Sequence, residues 1–381
     1  MAELPVSQHT TAQKVVEHWA SKPQEFREHL GASLIGHECD RYLWLTFRWA
    51  AKTQFNGRML RLFDTGKREE ARIYEELRGI GIVLHTDEDG KQIDCRDASG
   101  HFGGSVDGVG RNFPEAPKTW AVLECKTHNS KSFKDLKDKG VKVSKPRHYA
   151  QMQVYMGLLN LERAMYYAVC KETDEVYTEW VHFDKDRFDQ LSERATKIIE
   201  ATEPPQKLSE DPAHWQCKNC DMYRVCHEQR VAEANCRTCC HASPVETGAW
   251  HCGSHNKRIT GTEQRAGCDR HIFIPALVPF GEAIDGGEGY VEYRHRDTGK
   301  TFRNGPGHYS SKELSASVAG TVTEPTVEAM RATFGAKVTE SSPTPRTRKR
   351  GGVDLSKLPA PTEPFFDDDL DSVNWTGEKK K

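Results

Sequence analysis

The run Trp120-Ala-Val-Leu-Glu-Cys-Lys126 restricts how this chain can fold more than any other stretch of it. Its residues favour a strand, and successive side chains on a strand alternate faces. Glu124 and Lys126 therefore project together, with Val122 and Trp120, while Ala121, Leu123 and Cys125 project into the layer behind. One strand earlier, Val106-Asp107-Gly108 brings a second carboxylate to the same edge. Two hard oxygen ligands suit Mg²⁺ or Mn²⁺. A divalent ion there can polarise a phosphodiester and acidify a bound water. A lysine beside it can orient that water or offset charge building on the phosphate oxygens. Solvated strand faces also carry Glu and Lys together, so the neighbouring segments decide the reading.

Around this strand the pattern is that of a mixed α/β core. Residues 13–30 read as a helix broken near Pro23, and a stronger helical stretch runs from Leu43 to Leu77 with an interruption at Asn56-Gly57. Short β-like runs follow from Gly79 to Glu124, separated by turn-rich segments. A helix over Arg147–Asn160 comes next, then strands at 162–172 and 176–183, and a helix from Lys185 to Ala201. Within the helix over Arg147–Asn160, His148, Gln151 and Tyr155 stand at i, i+3 and i+7 on one face. Left to themselves, a core aromatic and a solvated glutamine would explain Tyr155 and Gln151 equally well.

The order Asp107, then Glu124-Cys125-Lys126, then Gln151-Met-Gln-Val-Tyr155 resembles the RecB-type branch of the PD-(D/E)xK nuclease superfamily, with its G-x-x-D, E-x-K and Q-x-x-x-Y motifs. It is also similar to lambda-type phage recombination exonucleases, over residues 30–230. The resemblance implies a restriction-endonuclease-like core, a mixed sheet flanked by helices. It implies a helix acid or histidine upstream in a G-x-x-x-H or G-x-x-x-E setting, where Gly66-Lys-Arg-Glu-Glu70 offers Glu70, with Glu69 or Glu75 as substitutes. Metal would then lie on Glu70, Asp107 and Glu124, with the Cys125 carbonyl. Lys126 would position the nucleophile, and Gln151 and Tyr155 would support substrate or Lys126. The activity implied is Mg²⁺-dependent hydrolysis of DNA, exonucleolytic rather than endonucleolytic, in recombination, repair or replication, in an enzyme of phage type. The alternative is an inactive nuclease fold that only binds DNA as an accessory factor.

Between Lys131 and Arg147 seven Lys/Arg face two Asp. As a charged loop bordering the site, this stretch is expected to bind DNA phosphates, with a salt slope of about −0.9 per phosphate neutralised.

Eight of the chain's twelve cysteines fall within residues 217–268. No apolar run reaches the roughly 18 residues of a membrane helix, and the N-terminus lacks the pattern of a signal peptide. A cytoplasmic protein in contact with no membrane is therefore expected, and there cysteines serve as metal ligands or core residues. Cys217-x2-Cys220-x15-Cys236-x2-Cys239 has the spacing of a single zinc ribbon. A second partition follows the resemblance to AddB-type and CRISPR-associated nucleases. It gives Cys39, Cys217, Cys220 and Cys226 to an iron–sulfur (4Fe–4S) cluster that joins the two ends of the nuclease domain. Cys236, Cys239, Cys252 and Cys268 then remain as a zinc (Zn²⁺) module, and all eight ligands are used. Cys95, Cys125 and Cys170 read as small core residues.

The domain expectation is a nuclease domain at 1–230, a Cys-rich module at 231–275, an accessory region with a hairpin at 276–340, and a disordered tail at 341–381. Pro, Ser, Thr and Arg dominate the start of that tail, and Pro364-Phe-Phe-Asp-Asp-Asp-Leu-Asp371 follows. This acidic, aromatic segment resembles the tips of single-stranded-DNA-binding proteins, which implies a recombination or single-strand-handling partner.

Overall fold

A computed structural model describes residues 10–24, 27–52, 54–88 and 91–316. The tail at 341–381, with its expected disorder and partner, lies outside the described residues, as does all of 317–340.

The chain opens with helix α1 (Thr10–Ala20), a two-residue strand β1 (Leu30–Gly31), α2 (Asp40–Phe47) and α3 (Gly57–Gly79). Asn56 starts α3 by accepting the Met59 N–H at 3.0 Å, so the Asn-Gly pair that looked like an interruption is a helix cap. Five short strands follow: β2 (Val83–His85), β3 (Asp87–Glu88), β4 (Lys91–Arg96), β5 (Phe102–Val106) and β6 (Gly108–Arg111). Then come β7 (Ala121–His128), helices α4 (Ser130–Lys139), α5 (Val141–Ser144) and α6 (Pro146–Leu159), strands β8 (Arg163–Cys170) and β9 (Val176–His182), and α7 (Lys185–Glu200).

Two sheets result. The larger has the order β2-β6-β7-β8-β9, with β7 central and fully buried. Its β7–β8 pair is parallel and the other pairs are antiparallel. The smaller has the order β1-β5-β4-β3. The alternation expected for β7 sorts its side chains as the sequence predicts. Leu123 and Cys125 pack with Ile73 and Leu77 of α3, while Val122 belongs to the main core with Ala150 and Val154 of α6. The parallel β7–β8 pair needs a long crossover, and α4, α5 and α6 supply it.

After α7 the chain forms the short helices α8 (Trp215–Lys218) and α9 (Tyr223–His227), a sheet of β10 (Ala242–Pro244), β11 (Trp250–Cys252) and β12 (Lys257–Ile259), and α10 (Gly261–Ala266). The expected hairpin at 288–304 exists as β14 (Tyr290–His295) and β15 (Thr301–Asn304). A third strand, β13 (Gly281–Gly287), joins it, and α11 (Ser311–Ala316) follows. These C-terminal parts share one hydrophobic core with the five-stranded sheet. Two buried arginines fasten them to it. Arg237 donates to the carbonyls of Phe47 (3.1 Å) and Glu28 (2.9 Å) and lies 3.7 Å over the Trp49 ring. Arg48 donates to the carbonyls of Arg237 and Ala242 in return. No helix among the described residues is long and apolar enough to cross a membrane.

Candidate active site

Asp107 occupies the single-residue bend between β5, in the smaller sheet, and β6, in the larger. The bend ends one ladder and starts the next, and it leaves the carboxylate against the middle of β7. Asp107 Oδ2 accepts the Cys125 N–H at 2.8 Å. With 4 % of its surface exposed, the group is pushed toward the neutral form by burial, against the opposing pull of Lys126 and of that N–H.

Glu70 reaches the same place from α3. It is 8 % exposed, whereas Glu69 is half-buried and Glu75 exposed, so of the three acids Glu70 is the one turned inward. The Tyr74 hydroxyl donates to Glu70 Oε1 and to the Asp107 carbonyl (2.6 Å), and Gln92 Nε2 donates to Glu70 at 3.4 Å. One phenolic proton serves one acceptor at a time, so the geometry favours a Glu70 that carries a proton of its own. Its pKa is raised to about 7, first by burial and then by the Asp107 charge.

Glu124 and Lys126 project to the α6 side of β7. Lys126 Nζ lies 2.8 Å from Glu124 Oε1, and both side chains are almost wholly sealed from solvent. Helix α6 is buried from His148 to Met156 without a break, so Gln151 is not a solvated position. Gln151 and Tyr155 both lie inside it, at 5 % and 3 % exposure. Gln151 Nε2 donates to Tyr155 Oη (3.2 Å), and Tyr155 donates to the Ser105 carbonyl (2.8 Å). That places the Gln151–Tyr155 pair on the end of β5, two residues before Asp107. A Cβ on Gly104 would stand 2.8 Å from the Tyr155 hydroxyl, so this approach needs glycine there.

The same strand face continues beyond Lys126. His128 Nε2 lies 2.9 Å from Tyr166 Oη, and His148 Nδ1 lies 2.8 Å from it. His128 Nδ1 meets Ser132 Oγ at 3.0 Å, and Ser132 Oγ accepts from Lys145 Nζ at 2.5 Å. Tyr74, Gln92, His128, Tyr166 and Ser132 were not singled out from the sequence. A signal existed for two of them: Tyr74 is four residues from Glu70 on a helix, and His128 is two from Lys126 on a strand.

The lysine-rich stretch is not a loop. Asn129 caps α4 by accepting the Ser132 N–H at 2.8 Å, and Phe133 and Leu136 bury its inner face. Several of its cations are paired: Lys134 with Asp138, Lys137 with Glu175, and Lys139 with Asp135. The local surplus of positive charge is therefore smaller in space than in sequence.

The cysteines fall into two separate groups. Cys39, at the N-cap of α2, lines one small cavity with Cys217, Cys220 and Cys226, next to Arg41 and Lys207. Cys236 and Cys239 flank one tight turn, and the pairing of β10 with β11 sets Cys252 opposite Ala242. Cys95 donates to the Gly104 carbonyl, and Cys95, Cys125 and Cys170 are buried core residues. Among the described residues, no three or more His, Cys, Asp or Glu side chains stand in a metal-holding arrangement.

No protein-family model matches the chain, and no curated protein matches it. Among solved structures it is similar to SSO0001, at 16% identity and a TM-score of 0.34, over 58% of this chain and 97% of that one. It is similar to LHK-Exo, an alkaline exonuclease from Laribacter hongkongensis, at 12% identity and a TM-score of 0.31, over 49% and 90%. A phage-related exonuclease from Haemophilus somnus 129PT overlaps at 16% identity and a TM-score of 0.27, over 36% and 68%. Overlaps this shallow carry no argument about activity, which rests on the residues themselves.

Proposed function

We propose that the chain is a divalent-metal-dependent DNA nuclease, acting as an exonuclease, with Glu70, Asp107, Glu124 and Lys126 at its centre. The observation that carries this reading is the buried charge balance. Three carboxylates and one lysine, each below 10 % exposure, come from α3, the Asp107 bend and β7, with Tyr74 bridging Glu70 and the Asp107 carbonyl, the Cys125 N–H on Asp107 and Lys126 on Glu124. Fully ionised, they leave two negative charges uncompensated in a low-dielectric site, an arrangement that is costly unless protons or a cation offset it. Their donors are all hard oxygens, which fit Mg²⁺ or Mn²⁺ and not a soft-ligand metal.

When bound, such an ion supplies Lewis-acid polarisation of a phosphodiester. The remaining work falls to the chain. Glu70, Asp107 and Glu124 would hold the ion, the Cys125 N–H fixes Asp107, and Tyr74 fixes Glu70 against the Asp107 backbone. Lys126 would orient the attacking water and offset charge on the phosphate oxygens. Gln151 and Tyr155 act as positioning residues through Ser105, where the sequence had them supporting substrate or Lys126. DNA would lie along the lysines of α4 and α5.

The reading extends to an iron–sulfur cluster on Cys39, Cys217, Cys220 and Cys226. Four soft donors around one cavity support it. It would join α2 to the segment after α7. A role in recombination or repair, a phage setting, and a partner for the acidic tail belong to the same proposal. The test is digestion of linear and covalently closed circular DNA in Mg²⁺ and in EDTA. Loss of linear DNA alone, in Mg²⁺ alone, is the expected result. Nicking of the circle at the same rate would overturn exonuclease action, and no cleavage of either would overturn the enzyme in favour of a DNA-binding protein.

A further inference from the structure

A second set of thiols has no part in the chemistry above, and separate features of the fold bring it together. A tight turn over Cys236–Thr238 places Cys236 at its start and Cys239 just beyond its end. Asn235 closes the turn by accepting the Arg237 N–H at 2.9 Å, and the Thr238 hydroxyl accepts the Asn235 N–H at 3.2 Å. Pairing of β10 with β11 sets Cys252 opposite Ala242, three residues after Cys239. The fourth thiol, Cys268, follows α10 and Gly267. The positive φ of Gly267 (62°) turns the chain back, where a Cβ would stand 3.3 Å from the Ala234 carbonyl.

Cys236, Cys239 and Cys252 are 8 %, 6 % and 6 % exposed, and Cys268 is partly buried. Cys236 Sγ donates to the Glu263 carbonyl at 3.5 Å, in the helix that leads to Cys268. On the other side of the turn, Cys239 bridges to Phe273 and the Cys240 N–H donates to the Ile272 carbonyl. Four soft sulfur donors carried on one turn, one strand and one helix end suit a soft dication.

We propose that Cys236, Cys239, Cys252 and Cys268 bind one structural zinc ion. Four thiolates complete a tetrahedral shell and leave no position for substrate, so the site's role is mechanical. It is anchored where mechanics matter. Arg237, inside the Cys236–Cys239 turn, is the side chain that enters the main core, and it also donates to Gln264 Oε1 (2.8 Å) from α10, the helix before Cys268. Zinc would hold both ends of that bridge. The proposal stands independently of whether the chain cleaves DNA.

The test is zinc content of the full-length protein, together with the visible spectrum after exchange to Co²⁺. We expect one zinc per chain and the absorption bands of a tetrahedral cobalt–thiolate centre. Cys252→Ser and Cys268→Ser should each lose most of the zinc, while Cys240→Ser retains it. Wild-type protein with no zinc and no cobalt–thiolate bands would overturn the proposal even if the serine variants fail to fold. So would a mass showing disulfides among these cysteines, or zinc that is lost in Cys240→Ser but kept in Cys268→Ser.

Discussion

Replacing Lys126 with methionine should unbalance the site. The side chain keeps its length and loses its charge, so Glu124 stays in place, wholly buried, without the ammonium 2.8 Å away. Breaking a buried ion pair from one side typically costs about 3–5 kcal/mol, because the stranded ion keeps its desolvation penalty. Against a total stability of roughly 5–15 kcal/mol, that is a large share of what holds the fold. Three readouts of urea unfolding follow, the first two in EDTA. At neutral pH, Lys126→Met should lose stability in about that range. Glu124→Gln combined with Lys126→Met should recover much of it, since a neutral pair of similar shape removes both charges. Adding Mg²⁺ should restore part of the stability of the single variant. A loss under about 1 kcal/mol that ignores Mg²⁺ would refute a buried, ion-paired Glu124 and the metal reading built on it.

Further expectations concern the supports of the site. Glu70 has its pKa raised from the ordinary 4.5 to about 7. A carboxyl raised by folding costs nothing below its unfolded pKa, and the full penalty is present above its folded one. In EDTA, Glu70→Gln should therefore match wild type near pH 4.5 and exceed it by roughly 2–3 kcal/mol above pH 7; an advantage that does not grow with pH would contradict this. Tyr155→Phe strands the Ser105 carbonyl and should cost about 1–3 kcal/mol, with kcat falling more than KM rises, as expected of a positioning residue. Gly104→Ala drives a Cβ against the Tyr155 hydroxyl, and thermal melts should show a loss of about 1–3 kcal/mol, smaller in the Tyr155→Phe background. Arg237→Met strands the Glu28 and Phe47 carbonyls, so unfolding should show a loss exceeding that of any exposed arginine, such as Arg224→Met.

Much of the candidate site was legible because strand alternation is rigid. Once β7 was recognised, the shared face of Glu124 and Lys126 followed, and it extends to His128. Glu70 and the Asp107 backbone share the Tyr74 hydroxyl, but the reason Asp107 reaches β7 was not readable. It depends on a bend that hands the chain from one sheet to another. Strand β13 went unrecognised because Gly-Glu-Ala-Ile-Asp-Gly-Gly carries few apolar residues and lies where little needs burying. The lysines of α4 masked its Phe133/Leu136 spacing, and charge outweighed periodicity in the reading of a loop. The seam between the nuclease core and the Cys-rich segment was also hidden. Arg48 and Arg237 hold it through backbone carbonyls, which every residue owns, so no side-chain pattern announces it.

The central claim is that Glu70, Asp107, Glu124 and Lys126 make a metal-dependent centre for phosphodiester hydrolysis. Its most direct test is the single-turnover rate of cleavage of end-labelled DNA by wild type and by Asp107→Asn, in Mg²⁺, with folding of both checked by thermal melts. The account predicts cleavage that EDTA abolishes, and a fall of at least about 100-fold in Asp107→Asn, equivalent to roughly 2.7 kcal/mol of lost transition-state stabilisation. A folded Asp107→Asn that cuts as fast as wild type, or a wild type that cuts equally well in EDTA, would contradict it.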